Sequence, residues 1–94
     1  MIKHLKIKVY GRVVDVNYRS FIQTAAETLG LTGFAKNAAR DLVYIEVEGE
    51  EAGLVEFLAA CRRGNSWSEV KSLDVSEGQL KNFTKFEKIY GQPG

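Results

Sequence analysis

An α+β sandwich, with two helices on one face of a mostly antiparallel sheet, is predicted by two observations. Runs with an apolar residue at every second position alternate with longer runs whose apolar residues recur at helical spacing. Each helical run carries a single apolar stripe, so both helices must lie on the same face of the sheet. The element order is strand, helix, strand, strand, helix, strand, with a short extra strand at the end. That is the order of a ferredoxin-like βαββαβ sandwich, a fold that hosts many functions and decides none by itself.

Taken in order, Leu5, Ile7 and Val9 alternate with Lys6, Lys8 and Tyr10, which predicts a half-buried first strand over residues 3–10. Phe21, Ile22, Ala25, Ala26 and Leu29 then set out a helix over residues 19–29, with Ser20 and Gln23 spaced as a capping box. Gly30 stands where a helix-ending glycine belongs, followed by Leu31 as its apolar partner. Residues 32–36 begin a second strand, and the polar run 37–41 is expected to turn. Val43, Ile45 and Val47 alternate with Tyr44, Glu46 and Glu48, the clearest strand of the chain. Gly49 breaks it. Glu50 and Glu51 suit a helix N-terminus, and Leu54, Phe57, Leu58 and Cys61 form one apolar helical face that Arg62, Arg63 and Gly64 close. The uneven spacing of Val70, Leu73 and Val75 predicts a fourth strand with a bulge. Residues 76–82 read as a loop, residues 83–90 as a last aromatic strand, and residues 92–94 as a frayed tail.

The chain has 94 residues, 45% of them hydrophobic and 27% charged, which suits one domain over residues 1–94. A net charge of +1 gives no bulk field that would draw nucleic acid or an acidic membrane, so neither is expected as a partner. One cysteine, Cys61, excludes an internal disulfide framework and fits a reducing compartment, hence a cytoplasmic location. No apolar run spans a membrane, and the opening residues do not read as a signal peptide.

The candidate chemistry narrows by elimination. A lone His4 on a strand is expected to be solvated, since a proton shuttle needs an orienting partner. Glu46 and Glu48 fall on the polar face of one strand, where a solvated face is the expected role. Cys61 sits on an apolar helical face and reads as a small core residue. No set of residues has metal-ligand spacing. What remains is the loop from strand one into helix one, with Arg19 at its end, and Asn37. Loop amides beside a helix start, with an arginine fork, make an anion site; the same stretch also reads as an ordinary loop with a solvated arginine. Asn37 ends strand two, which is expected to pair parallel with strand one and so approach the loop. An arginine holds a phosphoryl group and an asparagine orients a water. With no general acid or base at hand, the fitting leaving group is one that needs no protonation, such as the carboxylate of an acyl phosphate.

The motifs in these stretches resemble those of the acylphosphatase family. Gly11-Arg12-Val13, Val16, Tyr18, Arg19 and Phe21 resemble its GRVQGVxFRxF signature, and residues 29–37, LGLTGFAKN, resemble LGLxG[WY]xxN. Residues 43–49 resemble the VExxxEG strand, and residues 64–70 the GPPWAxV region. The likeness covers nearly the whole chain. It implies a hydrolase of carboxyl–phosphate bonds that uses no cofactor and no metal. Arg19 would bind the phosphate, Asn37 would position the attacking water, and the backbone of Val14, Asp15, Val16, Asn17 and Tyr18 would form the cradle. It further implies a small-molecule acyl phosphate as substrate, inorganic phosphate as product and inhibitor, and a monomer. The sequence departs from the family pattern at Val14 and Asp15, which replace the glutamine and glycine of the signature. It departs also at Phe34, at Arg40-Asp41 where Asp-Gly is usual, and at Gly64-Asn65-Ser66, which lacks the usual prolines. Asp15 is the serious departure, because it brings a charged side chain into the cradle.

Two other readings stand beside this one. The first is a non-catalytic phosphate- or anion-binding module that kept the fold and lost turnover through Asp15. The second is an RNA-binding domain of the same element order, disfavoured by the missing RNP1 signature and by Glu46 and Glu48 on the polar face.

Overall fold

Leu5, Ile7 and Val9 alternate with lysines because they lie on β1, Ile2–Arg12, where one face is buried and the other open. The computed structural model describes residues 1–89. β1 leads into α1, Tyr18–Thr28, then β2, Thr32–Ala39, and β3, Leu42–Glu50. α2, Glu51–Arg63, crosses back to β4, Glu69–Gly78, and β5, Phe86–Ile89, closes the described chain. The sheet order is β4-β1-β3-β2-β5. All neighbours are antiparallel except β2 and β5, which run parallel. Both helices pack on one face, so the ferredoxin-like sandwich with a short extra strand is what the chain forms. Among the described residues no helix is long and apolar enough to cross a membrane.

The core lies between that face and the helices. Ile7, Val9, Ile45 and Val47 from the sheet meet Ile22, Leu54, Phe57 and Cys61 from the helices. Burial of the Cys61 thiol pushes its pKa up to about 12, so it behaves as a small apolar residue, as expected. α1 ends in a glycine-based cap: Gly30 has φ 72, Leu31 N–H donates to Ala26 O, and Gly30 N–H donates to Glu27 O. The expected bulge lies between β1 and β4. The register shifts between Tyr10 and Gly11, and Gly11 takes φ 139 with Glu69 O where a Cβ would stand.

Several expectations fail for identifiable reasons. β2 does not pair with β1. β3 inserts between them, because the β2–β3 turn is short and returns the chain antiparallel beside its own strand. Asn37 is still inside β2, and the turn is confined to Arg40 and Asp41. β4 persists through Gly78, and β5 starts at Phe86 rather than residue 83. The expected end of that strand at Tyr90 and the tail at residues 92–94 lie outside the described residues.

The largest departure is on the open face of the sheet. His4, Glu46 and Glu48 face away from the helices yet are almost fully buried. The connection over residues 79–85 folds across them. Phe83 stacks on the His4 ring, with centroids 5.9 Å apart, while the backbone N–H groups of Lys81 and Phe83 donate to Glu48. His4 Nδ1 lies 2.7 Å from Glu48 Oε2, and Glu46 accepts from Tyr44 OH at 2.7 Å and from Lys81 Nζ at 3.0 Å. Burial raises the pKa of both carboxylates, but these donors outweigh it, and both end below the ordinary carboxylate value. The residues expected to be a solvated face form instead a buried polar cluster under a loop, with His4 Nε2 3.0 Å from Glu46 Oε1.

Candidate active site

The loop between β1 and α1 alternates anchors with exposed residues. Val13 is buried, Val14 and Val16 pack against the core, and Asp15 and Asn17 point to solvent. Asp15 and Asn17 both take left-handed backbone conformations, with φ 62 and φ 64. Aspartate and asparagine are among the few non-glycine residues that reach this region at modest cost. Asp15 therefore reproduces the backbone conformation that a glycine would supply, and its carboxylate is what it adds to the loop. Among the described residues it forms no ion pair.

The loop is held on three sides. Gly11 N–H donates to Asp41 O at 3.0 Å, tying the end of β1 to the β2–β3 turn. Asn65 Nδ2 donates to Val16 O at 2.9 Å from the connection after α2. Tyr18 is buried, and its OH donates to Cys61 O at 2.8 Å, which fastens the start of α1 to α2. Burial pushes the Tyr18 phenol far above its ordinary pKa, so it stays neutral and structural.

α1 begins at Tyr18, with Asn17 as N-cap and no side-chain cap hydrogen bond. The expected capping box does not form. Ser20 Oγ accepts from Lys88 Nζ at 2.6 Å, and Gln23 Nε2 donates to Phe86 O at 3.3 Å, so both side chains serve the contact with β5. Among the described residues no side-chain oxygen caps the first N–H groups of α1, the arrangement in which a helix start accepts an anion.

A cavity of about 130 Å³ lies at this junction, lined by Val13, Asp15, Asn17, Tyr18, Arg19, Ser20 and Lys88. Arg19 is half-buried there, and its guanidinium donates to the backbone carbonyl of Ile89 on β5. Ile89 pairs with Lys36, the residue before Asn37. The register of β2 against β3 shifts just after Asn37, so a bulge adjoins it, and its Oδ1 is buried with no hydrogen-bond partner among the described residues. Arg19 is thus linked through β5 to the strand that carries Asn37, not through pairing of β2 with β1, and Asn37 is not among the residues that line the cavity. Sequence reading missed two residues here. Asn65 had a signal, its place in the proline-poor GNSW stretch. Lys88 had a weaker one, a charge at the same strand parity as Phe86.

Fold and site together define a ferredoxin-like sandwich with a small cavity where a loop, a helix start and an arginine meet. The acylphosphatase family model matches residues 5–88. An acylphosphatase of Archaeoglobus fulgidus is 36% identical over 86 residues, 92% of this chain and 97% of its own. One from Clostridium acetobutylicum is 42% identical over 73 residues, 78% of this chain and 80% of its own. The crystal structure of acylphosphatase from Bacillus subtilis superposes with a TM-score of 0.90 at 34% identity, covering 96% of this chain and 100% of that one. The chain belongs to the acylphosphatase family.

Proposed function

We propose that the protein hydrolyses acyl phosphates without a metal ion, through Arg19, Asn37 and the backbone of Val14, Asp15, Val16, Asn17 and Tyr18. The observation that carries the reading is the small cavity where Arg19 and the loop residues Asp15, Asn17 and Tyr18 converge on an α1 start without a side-chain cap. The phosphoryl oxygens are bound by the Arg19 fork and by loop amides, charge-assisted contacts that strengthen as charge spreads over those oxygens. The Asn37 side chain, whose Oδ1 is buried and unpartnered among the described residues, orients the attacking water. Water adds to phosphorus, the phosphorus–oxygen bond to the acyl group breaks, and a carboxylate leaves with the bonding pair. The water's protons stay with the phosphate, so the products are a carboxylate and dihydrogen phosphate. A carboxylate is stable unprotonated at neutral pH, and no general acid is needed.

In this reading inorganic phosphate is both product and competitive inhibitor. Residues 1–94 act as one domain, monomeric and cytoplasmic. The test is phosphate release from acetyl phosphate, with and without EDTA. Turnover unaffected by EDTA is expected. Inhibition by EDTA that Mg²⁺ reverses would overturn the metal-free mechanism. Phosphate binding without turnover would favour the non-catalytic anion module, the reading that Asp15 in the loop keeps open.

A further inference from the structure

We infer that Lys88 is a second phosphate-binding cation of this site, set at the start of α1 to offset the carboxylate that Asp15 brings into the cradle. The inference rests on the site reading above and adds to it a residue that the family motifs quoted earlier do not contain.

Lys88 lies on β5, paired with Ala35 of β2. Ala35 is buried on the helix-facing side of the sheet, and Lys88 shares that side with the buried Phe86. An apolar residue is the ordinary occupant of such a position. Here an ammonium reaches α1 instead, 2.6 Å from Ser20 Oγ, and lines the same cavity as Asp15, Asn17 and Arg19.

Its charge runs against the helix dipole. α2 follows the ordinary rule, with Glu51 in its first turn and Arg62 and Arg63 in its last. α1 inverts it: the first turn holds no acidic residue, and two cations, Arg19 and Lys88, gather at its positive end. An anion at that end is favoured by the helix start and by both cations together. A dianionic phosphoryl group fits the charge, and Lys88 serves it as a point charge beside the directional fork of Arg19.

A lysine pointing inward from an edge strand has a second known use, the blocking of edge-to-edge association. The two roles move different observables. The experiment compares wild type, Lys88→Met and Lys88→Arg, with Lys85→Met as control. Lys85 is an exposed lysine that pairs with Glu87 outside the cavity, so its variant makes the same change in net charge. Inorganic phosphate binding is measured directly by calorimetry at low and high salt, alongside melting temperature, sedimentation and turnover of acetyl phosphate.

Lys88→Met is expected to weaken phosphate about 10-fold at low salt, Lys85→Met less than about 2-fold, and the gap is expected to narrow as salt rises. Lys88→Arg keeps most of the affinity. Phosphate affinity in Lys88→Met equal to that of Lys85→Met overturns the inference, as does a wild type that binds no phosphate. Self-association of Lys88→Met with unchanged phosphate affinity assigns the residue to edge protection instead. Turnover with Lys88-independent phosphate binding sinks this inference alone. Lys88-dependent binding without turnover supports it and sinks the catalytic reading.

Discussion

The guanidinium of Arg19 donates to the backbone carbonyl of Ile89, and Ile89 pairs with Lys36, one residue before Asn37. Through this contact the first residue pair of α1 is registered against the far edge of the sheet. The geometry demands a planar group that reaches a strand carbonyl with one arm while facing the cavity. Lysine has the charge but not the fork. Arg19→Lys is expected to cost more than about 10-fold in kcat/KM, a loss above ~1.4 kcal/mol of transition-state stabilisation. Steady-state kinetics with an aromatic acyl phosphate measures it, and a smaller loss removes Arg19 from the phosphate-binding role.

Asp15 already holds the left-handed backbone that a glycine would adopt, with φ 62, so its cost to the site is charge rather than shape. Two unit charges ~6 Å apart repel by ~0.7 kcal/mol in water and ~3 kcal/mol at an effective dielectric of ~20. Asp15 is exposed, which favours the lower end. Asp15→Gly and Asp15→Asn should therefore both tighten phosphate inhibition several-fold, with the gain shrinking as ionic strength rises. Phosphate inhibition constants at low and high salt decide it. An unchanged constant in both variants means that the carboxylate does not face the bound anion.

The polar cluster under residues 79–85 is expected to set the acid stability. Glu46 and Glu48 have pKa values held below the ordinary 4.5 because donors from Tyr44, Lys81, His4 and Phe83 outweigh the burial that would raise them. A depressed carboxylate contributes stability that is present above its unfolded-state pKa and lost as pH falls through the folded value. The denaturation midpoint is expected to hold from neutral pH down to about 4.5 and to fall below it. Glu48→Gln should be about 1–3 kcal/mol less stable at pH 7, since it leaves buried donors poorly matched, and should show a shallower acid decline. Parallel declines in wild type and variant would contradict a role for Glu48 in acid sensitivity.

That cluster also marks the limit of what the chain's pattern reveals. Alternation identified the strands because Leu5, Ile7 and Val9 face one buried side, and it assigned Glu46 and Glu48 correctly to the other side, which His4 shares. It had no means of showing that residues 79–85 cover that side, since the cover is a long-range contact made by a loop without a period. The α1 cap was readable because Gly30 and Leu31 act locally. The capping box was misread because Ser20 and Gln23 have tertiary partners on β5. The same rule holds at the site. Arg19 and the loop were legible from local order. The tie between Arg19 and β5, the Asn65 brace and the position of Lys88 depend on how α1, β5 and the α2–β4 connection meet.

The account's central claim divides the labour between Arg19, which binds phosphate, and Asn37, which positions water. Asn37 lies beside a bulge in β2 with its Oδ1 buried and unpartnered among the described residues, so removing the side chain takes away an orienting group and leaves the loop and Arg19 in place. The most direct measurement is the pair of constants for Asn37→Ala: kcat on an aromatic acyl phosphate and the inhibition constant of inorganic phosphate. The account predicts a kcat lower by about 100-fold, the scale of a misplaced reactant, with phosphate inhibition within about 2-fold of wild type. A phosphate constant that weakens in step with kcat, or a kcat that does not fall, would contradict it.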